Sequence, residues 1–249
     1  PFQTWDFTRE YRHAVVAYMI REYAAGRTPN PDVMCNREIK FGLFLRRALA
    51  EGVDYIATGH YVRTRRDQSD EGDKVGEGVR IHRAQRSIKR RDSSVSSHQL
   101  LQAVDANKDQ SYFLWTLTQQ QLRHCLFPIG DYAKLEVREL ARKFNLPTAE
   151  KSESQGICFM GEIDLKEFLK RYIPERRGEV VTTAGRVVGE HDGTPYYTIG
   201  QRHGLGIGGR PSRRGEPRPQ GAGGIPFYVT GKDASTNTLV VAQGPYDAG

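Results

Sequence analysis

Two cysteines stand where a thiol can do chemistry. Cys35 follows the run Thr28-Pro29-Asn30-Pro31-Asp32 and comes three residues after Asp32. Two prolines fix φ in that run and block helix, so a rigid turn is expected ahead of Cys35. Cys158 lies in Ser154-Gln155-Gly156-Ile157-Cys158-Phe159, a glycine-bearing stretch between expected helices. Loops flanked by Gly and Pro present side chains at sites more often than helices do. A pair of such thiols suits sulfur transfer or redox exchange, because a thiolate attacking a sulfur is the elementary step of both. Core packing is the competing reading for each. The third cysteine, Cys125, sits in an expected helix and reads as core.

Other chemistries fit less well. Cys35, Cys125, Cys158 and His60 could in principle hold zinc, but none lies in a Cys-x₂-Cys or His-x₃-His pair. Gly204-Leu205-Gly206-Ile207-Gly208-Gly209 matches G-x-G-x-x-G, yet Arg210-Pro211-Ser212 follows where a dinucleotide site needs a helix. Gly59-His60 is better placed. It ends an expected buried strand, and ligands of open α/β sheets bind at that edge. An ordinary strand exit is the alternative.

Stepping outward from these residues, Asp6 to Ala25 has helical spacing through Tyr11, Val15, Tyr18 and Met19, with Gly26 as its stop. Glu38 to Glu51 is a second expected helix, and Val53 to Thr58 a short buried strand. Thr118 with Gln121 forms a capping box, Leu135 to Phe144 is helical, and Asp164 with Glu167 caps a further helix. After Gly178 the pattern turns to strands, in hairpins at 179–188 and 227–241. A mixed α/β part followed by an all-β part predicts at least two domains.

The composition narrows the class. Among 249 residues, 37 Lys and Arg face 30 Asp and Glu, a net charge of +7. Residues 63–92 carry ten basic and six acidic side chains, and residues 202–218 five arginines and one glutamate. The rest of the chain is therefore close to neutral. Each basic segment reads either as a solvated loop or as a contact for a polyanion. No run reaches the ~18 apolar residues of a membrane span. No secretory signal opens the chain, and three cysteines do not make a secreted disulfide framework, so a reducing compartment is expected.

Taken in order, the motifs carry a resemblance. Thr28 to Asn36, Ala57-Thr58-Gly59-His60-Tyr61, Lys108-Asp109-Gln110-Ser111-Tyr112-Phe113-Leu114, Gly156-Ile157-Cys158-Phe159 and Thr198-Ile199-Gly200-Gln201-Arg202 through Gly209 strongly resemble the tRNA-specific 2-thiouridylases. The resemblance spans nearly the whole chain except 63–98. It implies an α/β Rossmann-like nucleotide-hydrolase domain of the PP-loop type over 1–161, a small β-rich central domain over 162–224, and the start of a β-barrel over 225–249. It also implies ATP, with Mg²⁺, adenylating the C2 oxygen of the wobble uridine.

The same resemblance assigns roles. Cys158 carries a persulfide sulfur received from a sulfur-carrier or desulfurase-linked donor protein. Cys35 completes delivery and leaves a Cys35–Cys158 disulfide. Asn30, Pro31 and Asp32 hold the target base, with Asp32 as acid/base. Gly59 meets ATP, and His60, Lys108, Asp109 and Gln110 meet tRNA. The resemblance implies a monomer without a metal site, in the cytoplasm or a mitochondrial matrix. The family's Ser-Gly-Gly-x-Asp-Ser phosphate loop does not occur here, and the chain begins with Pro1, so a protein lacking its first strands is expected. The alternatives are a non-catalytic RNA-binding protein that has lost the ATP loop, and a thiol oxidoreductase.

Overall fold

The computed structural model describes residues 2–66, 97–151, 164–205, 207 and 226–244. They divide into two compact units, one of residues 1–35 with 154–249 and one of residues 36–153.

The first unit is a sheet covered by helices. Helix α1 (8–24) runs through Thr8–Tyr11, a wider π segment at Arg12–Val16, and Ala17–Ala24. Tyr11, Val15, Met19 and Tyr23 recur every four residues, so they share a face, and all four are buried. Tyr18, expected on that face, is only half-buried. Gly26 ends the helix with φ at +77°, a left-handed conformation that glycine adopts without strain. The four strands are β5 (Gly178–Thr182), β6 (Val187–His191), β7 (Phe227–Asp233) and β8 (Thr238–Gln243), in the order β6-β5-β8-β7. The two expected hairpins thus share one sheet, because β5 pairs in parallel with β8 through Val180 and Leu239. Alternation puts Val180, Val229, Leu239 and Val241 on the buried face. Met19 and Tyr23 of α1, and Leu169 and Ile173 in and beside α5 (Leu165–Lys170), pack into that same core. Each such side chain contributes about 1.5–3 kcal/mol by burial.

In the second unit, β1 (Ile56–Ala57) pairs in parallel with β4 (Cys125–Leu126), and β2 (Val62–Arg66) pairs antiparallel with β3 (His98–Gln102). Helix α3 (Gln119–Leu122) starts at the expected capping box of Thr118 and Gln121, and α4 is Lys134–Lys143. Gly130 has to be glycine, since a Cβ there would collide with the Val62 carbonyl.

Three expectations change. Helix α2 (31–50), made of Pro31–Met34, a π segment at Cys35–Phe44 and Leu45–Ala50, begins seven residues earlier than the expected Glu38. Pro31 opens it, because the first helical position needs no N–H. The strand at 53–58 shrinks to two residues, with Val53 and Tyr55 exposed. The ends of the 63–98 insertion are strands β2 and β3, and residues 67–96 lie outside the described residues.

Candidate functional site

The Thr28–Cys35 segment is built around one cap. Asn30 has extended backbone, and its Oδ1 accepts hydrogen bonds from the N–H groups of Asp32 (3.1 Å) and Val33 (3.2 Å). That satisfies two of the donors a helix start leaves open. Asp32 falls in the first turn, where the positive end of the helix favours a carboxylate. Cys35 follows it by three residues, on the same helix face. Cys35 is therefore helical rather than in a loop, and it is 0% exposed. In the same unit the Thr28 and Thr198 hydroxyls meet at 3.4 Å, which joins the first motif to the last. That last motif is pinned to β7, as Gly200 N–H donates to the Val229 carbonyl (2.7 Å) and Val229 N–H to the Gln201 carbonyl (3.0 Å). Cys158 lies outside the described residues.

The second unit gathers Gly59, His60, Asp109 and Gln110. Tyr61 N–H donates to Gln110 Oε1 (3.0 Å), and Gln110 N–H donates back to the Tyr61 carbonyl (2.9 Å). This reciprocal pair ties the end of the β1 segment to the Lys108–Gln110 turn. Asp109 shapes the turn with both oxygens, accepting from Ala103 N–H at 2.8 Å and from the Ser111 hydroxyl at 2.5 Å. Lys108 N–H donates to the Asp105 carbonyl (3.0 Å). His60 packs beside the Phe41 and Phe127 rings, with centroids at 5.6 and 6.4 Å, and its Nδ1 meets the Thr58 hydroxyl at 2.9 Å. Lost hydration, with Lys40 adding repulsion, pushes its pKa down to about 4, so the ring is neutral. A Cβ built on Gly59 meets nothing within 4 Å, leaving the backbone open to close approach.

The structure brings together the neighbours in each motif, and within the second unit it also ties Tyr61, beside His60, to Gln110. Asn36 closes the first motif, but the sequence assigns it no role. It is 2% exposed, and its Nδ2 donates to the Phe113 carbonyl (3.3 Å), holding the 111–113 turn against α2. A polar residue directly after a candidate thiol, in a helix, was the available signal. Cys125 behaves as the core residue expected, although in a strand. Its thiol donates to the Gln121 carbonyl (3.2 Å), and burial pushes its pKa up to about 12.

Comparison with known proteins places these segments in a family. Residues 1–162 match the model described as the tRNA methyl transferase HUP domain, a Rossmann-like α/β class, and residues 166–243 match the tRNA methyl transferase PRC-barrel domain. A protein of Thiobacillus denitrificans named tRNA-specific 2-thiouridylase MnmA is 48% identical over 239 residues, 96% of this chain and 57% of its own length. Proteins of the same name from Lysinibacillus sphaericus and Nitrosomonas eutropha are 46% and 47% identical, each over 98% of this chain. The chain spans 55–58% of the length of these curated relatives. No helix among the described residues is long and apolar enough to cross a membrane. With its α/β first part and its β-rich second part both matched, the chain belongs to the family described by the tRNA methyl transferase HUP and PRC-barrel domains.

Proposed function

We infer that the protein places sulfur on C2 of the wobble uridine of tRNA in an ATP-dependent reaction. The observation that carries this reading is the Asn30-capped helix start, which sets an acid, Asp32, and a thiol, Cys35, three residues apart on one face. Relatives named for 2-thiolation at 46–48% identity favour it as well.

ATP with a divalent cation such as Mg²⁺ supplies the group that turns the uridine oxygen into a leaving group. This chain offers it the open backbone at Gly59. The Ser-Gly-Gly-x-Asp-Ser phosphate loop that the resemblance implies does not occur in this sequence. Asn30 and Pro31 fix the turn that holds the base, which must leave the anticodon stack to be reached. His60 offers a neutral ring nitrogen to the RNA and Lys108 a cation. Asp109 and Gln110 act by shaping the turn, since their acceptor oxygens are already engaged.

Sulfur arrives as a persulfide on Cys158, made by a sulfur-donor protein. Its terminal sulfur bonds to C2 as the C2–O2 bond breaks. Asp32 takes the proton of the Cys35 thiol, and the thiolate attacks Cys158 Sγ. The bond from Sγ to the transferred sulfur breaks, its electron pair stays with that sulfur as the thiocarbonyl forms, and a Cys35–Cys158 disulfide remains. A dithiol reductant resets it. Because Cys35 is fully buried, its thiol must be uncovered during turnover.

A single turnover without reductant tests this. Peptide mass spectrometry should find one Cys35–Cys158 cross-link for each 2-thiouridine formed. Product forming while both cysteines stay reduced would overturn the mechanism.

A further inference from the structure

Helix α4 has no cap of its own. The residue at its N-terminal boundary is Ala133, whose side chain cannot accept a hydrogen bond. The N–H of Lys134, the first helical residue, is met instead by Asp105 Oδ2 at 3.0 Å, from 29 residues earlier in the chain. A carboxylate there also suits the positive end of the helix. The cap therefore comes from outside the helix, and it belongs to the segment that leads into the Lys108–Gln110 turn.

Asp105 accepts with all three of its oxygens. Its Oδ1 takes the Asn107 N–H (3.1 Å), and its backbone carbonyl takes the Lys108 N–H (3.0 Å). These bonds bend the chain directly before Lys108. One residue away, Val104 N–H donates to the Gly130 carbonyl (3.0 Å), so the same two segments are joined twice. The far side of the turn reaches the same helix start by another route. Gln110 exchanges two hydrogen bonds with Tyr61, and the Lys134 ammonium lies 5.4 Å from the centre of the Tyr61 ring. Asp105, Lys108, Gln110, Tyr61 and Lys134 thus close a ring of contacts, and the start of α4 is the member against which the turn is held. A turn fixed at both ends loses little freedom when its cation meets a ligand.

We propose that Asp105 is a positioning residue: its carboxylate, by capping α4, fixes the turn that presents Lys108 to tRNA. This rests on the reading of tRNA as the substrate and adds to it a residue that touches no RNA. Any acceptor at that spot would stabilise α4, but only one attached to the turn would also set tRNA affinity.

The two effects separate in variants of the full-length protein, titrated with tRNA from a 2-thiouridine-deficient strain and unfolded in urea. Asp105→Ala should lower the urea midpoint and weaken tRNA binding about tenfold, as for one lost hydrogen bond to a charged group. Asp105→Asn, which keeps an oxygen for the Lys134 N–H, should recover most of the affinity. Adding Ala133→Asp to Asp105→Ala gives α4 a cap that is not joined to the turn, so the urea midpoint should return and the affinity should not. That pair also carries the test should Asp105→Ala alone not fold. In a Lys108→Met background, Asp105→Ala should change affinity by less than about twofold, because both changes remove the same contact. Unchanged affinity in Asp105→Ala, affinity restored by Ala133→Asp, or a further loss of about tenfold on top of Lys108→Met each overturns the role. Where the parent binds tRNA and Asp105→Ala binds it equally well, this role alone falls. A parent that binds no tRNA overturns the RNA reading and the role with it.

Discussion

His60 and His191 are both buried, and lost hydration lowers the pKa of each. They differ in how their ring nitrogens are used. His191 Nδ1 accepts the Gly193 N–H at 2.9 Å, which leaves Nε2 to donate to the Asn237 carbonyl at 3.1 Å. Asn237 in turn donates to the carbonyls of Arg176 (2.8 Å) and Arg177 (2.9 Å) and accepts the Thr194 N–H (3.3 Å). Every polar atom there has a partner, and the knot fastens the β6 end to the β7–β8 turn. His60 has a single hydrogen bond, at Nδ1, and rings on its flanks; its Nε2 makes no hydrogen bond among the described residues. Burial alone does not mark a site. A saturated histidine holds a fold together, whereas His60 has only one of its two ring nitrogens so engaged among the described residues.

The strongest way to break the knot is from its floor. A Cβ at Gly178 would collide with the Asn237 carbonyl and approach His191 Nε2, so Gly178→Ala should cost about 3 kcal/mol in urea unfolding. A loss under about 1 kcal/mol would mean that the knot yields easily and is not what fastens the sheet.

Acid should reach both histidines but weigh more visibly on His60. Its folded pKa of about 4 lies below the ordinary 6.5, so the unfolded chain takes up the proton first. Its contribution is complete above about 6.5 and is lost as the pH falls toward 4. At about pH 4.5 the loss should be roughly 2–3 kcal/mol. His60→Gln should remove that share of the pH dependence, and equal acid sensitivity in the variant and the parent would contradict the assignment.

Exchange at the two positions should then separate them. His191→Gln should destabilise by about 2 kcal/mol, because it disturbs buried partners that lose their hydrogen bonds. His60→Gln should cost about 1 kcal/mol and weaken tRNA binding about tenfold, as expected for a lost polar contact. Equal stability losses with unchanged RNA affinity would erase the distinction.

Much of this was legible in the sequence, for local reasons. The Thr118–Gln121 box, the Asp164 cap and the glycine stop at Gly26 depend on neighbouring residues, and they formed where expected. Asn30 and Pro31 misled because the pair Pro29 and Pro31 reads as a turn; the same residues also cap and open a helix, and the apolar stripe at Val33, Ile39, Phe41 and Leu45 decided for helix. The joining of the two hairpins into one sheet was not legible, since the β5–β8 pairing links residues far apart in the chain. The His191 knot passed unnoticed for the same reason. Its partners at 176–178, 193–194 and 237 carry no shared sequence signature. His60 was singled out by its place after a buried strand, but its half-used state depends on Phe41 and Phe127 from distant segments.

The claim that matters most is that two cysteines of this chain move sulfur onto tRNA. Mass spectrometry of tRNA from a 2-thiouridine-deficient strain carrying the full-length gene tests it directly. The unaltered gene should restore 2-thiouridine, and Cys158→Ser or Cys35→Ser should each abolish it. Undiminished 2-thiouridine in the Cys158→Ser strain would contradict the account.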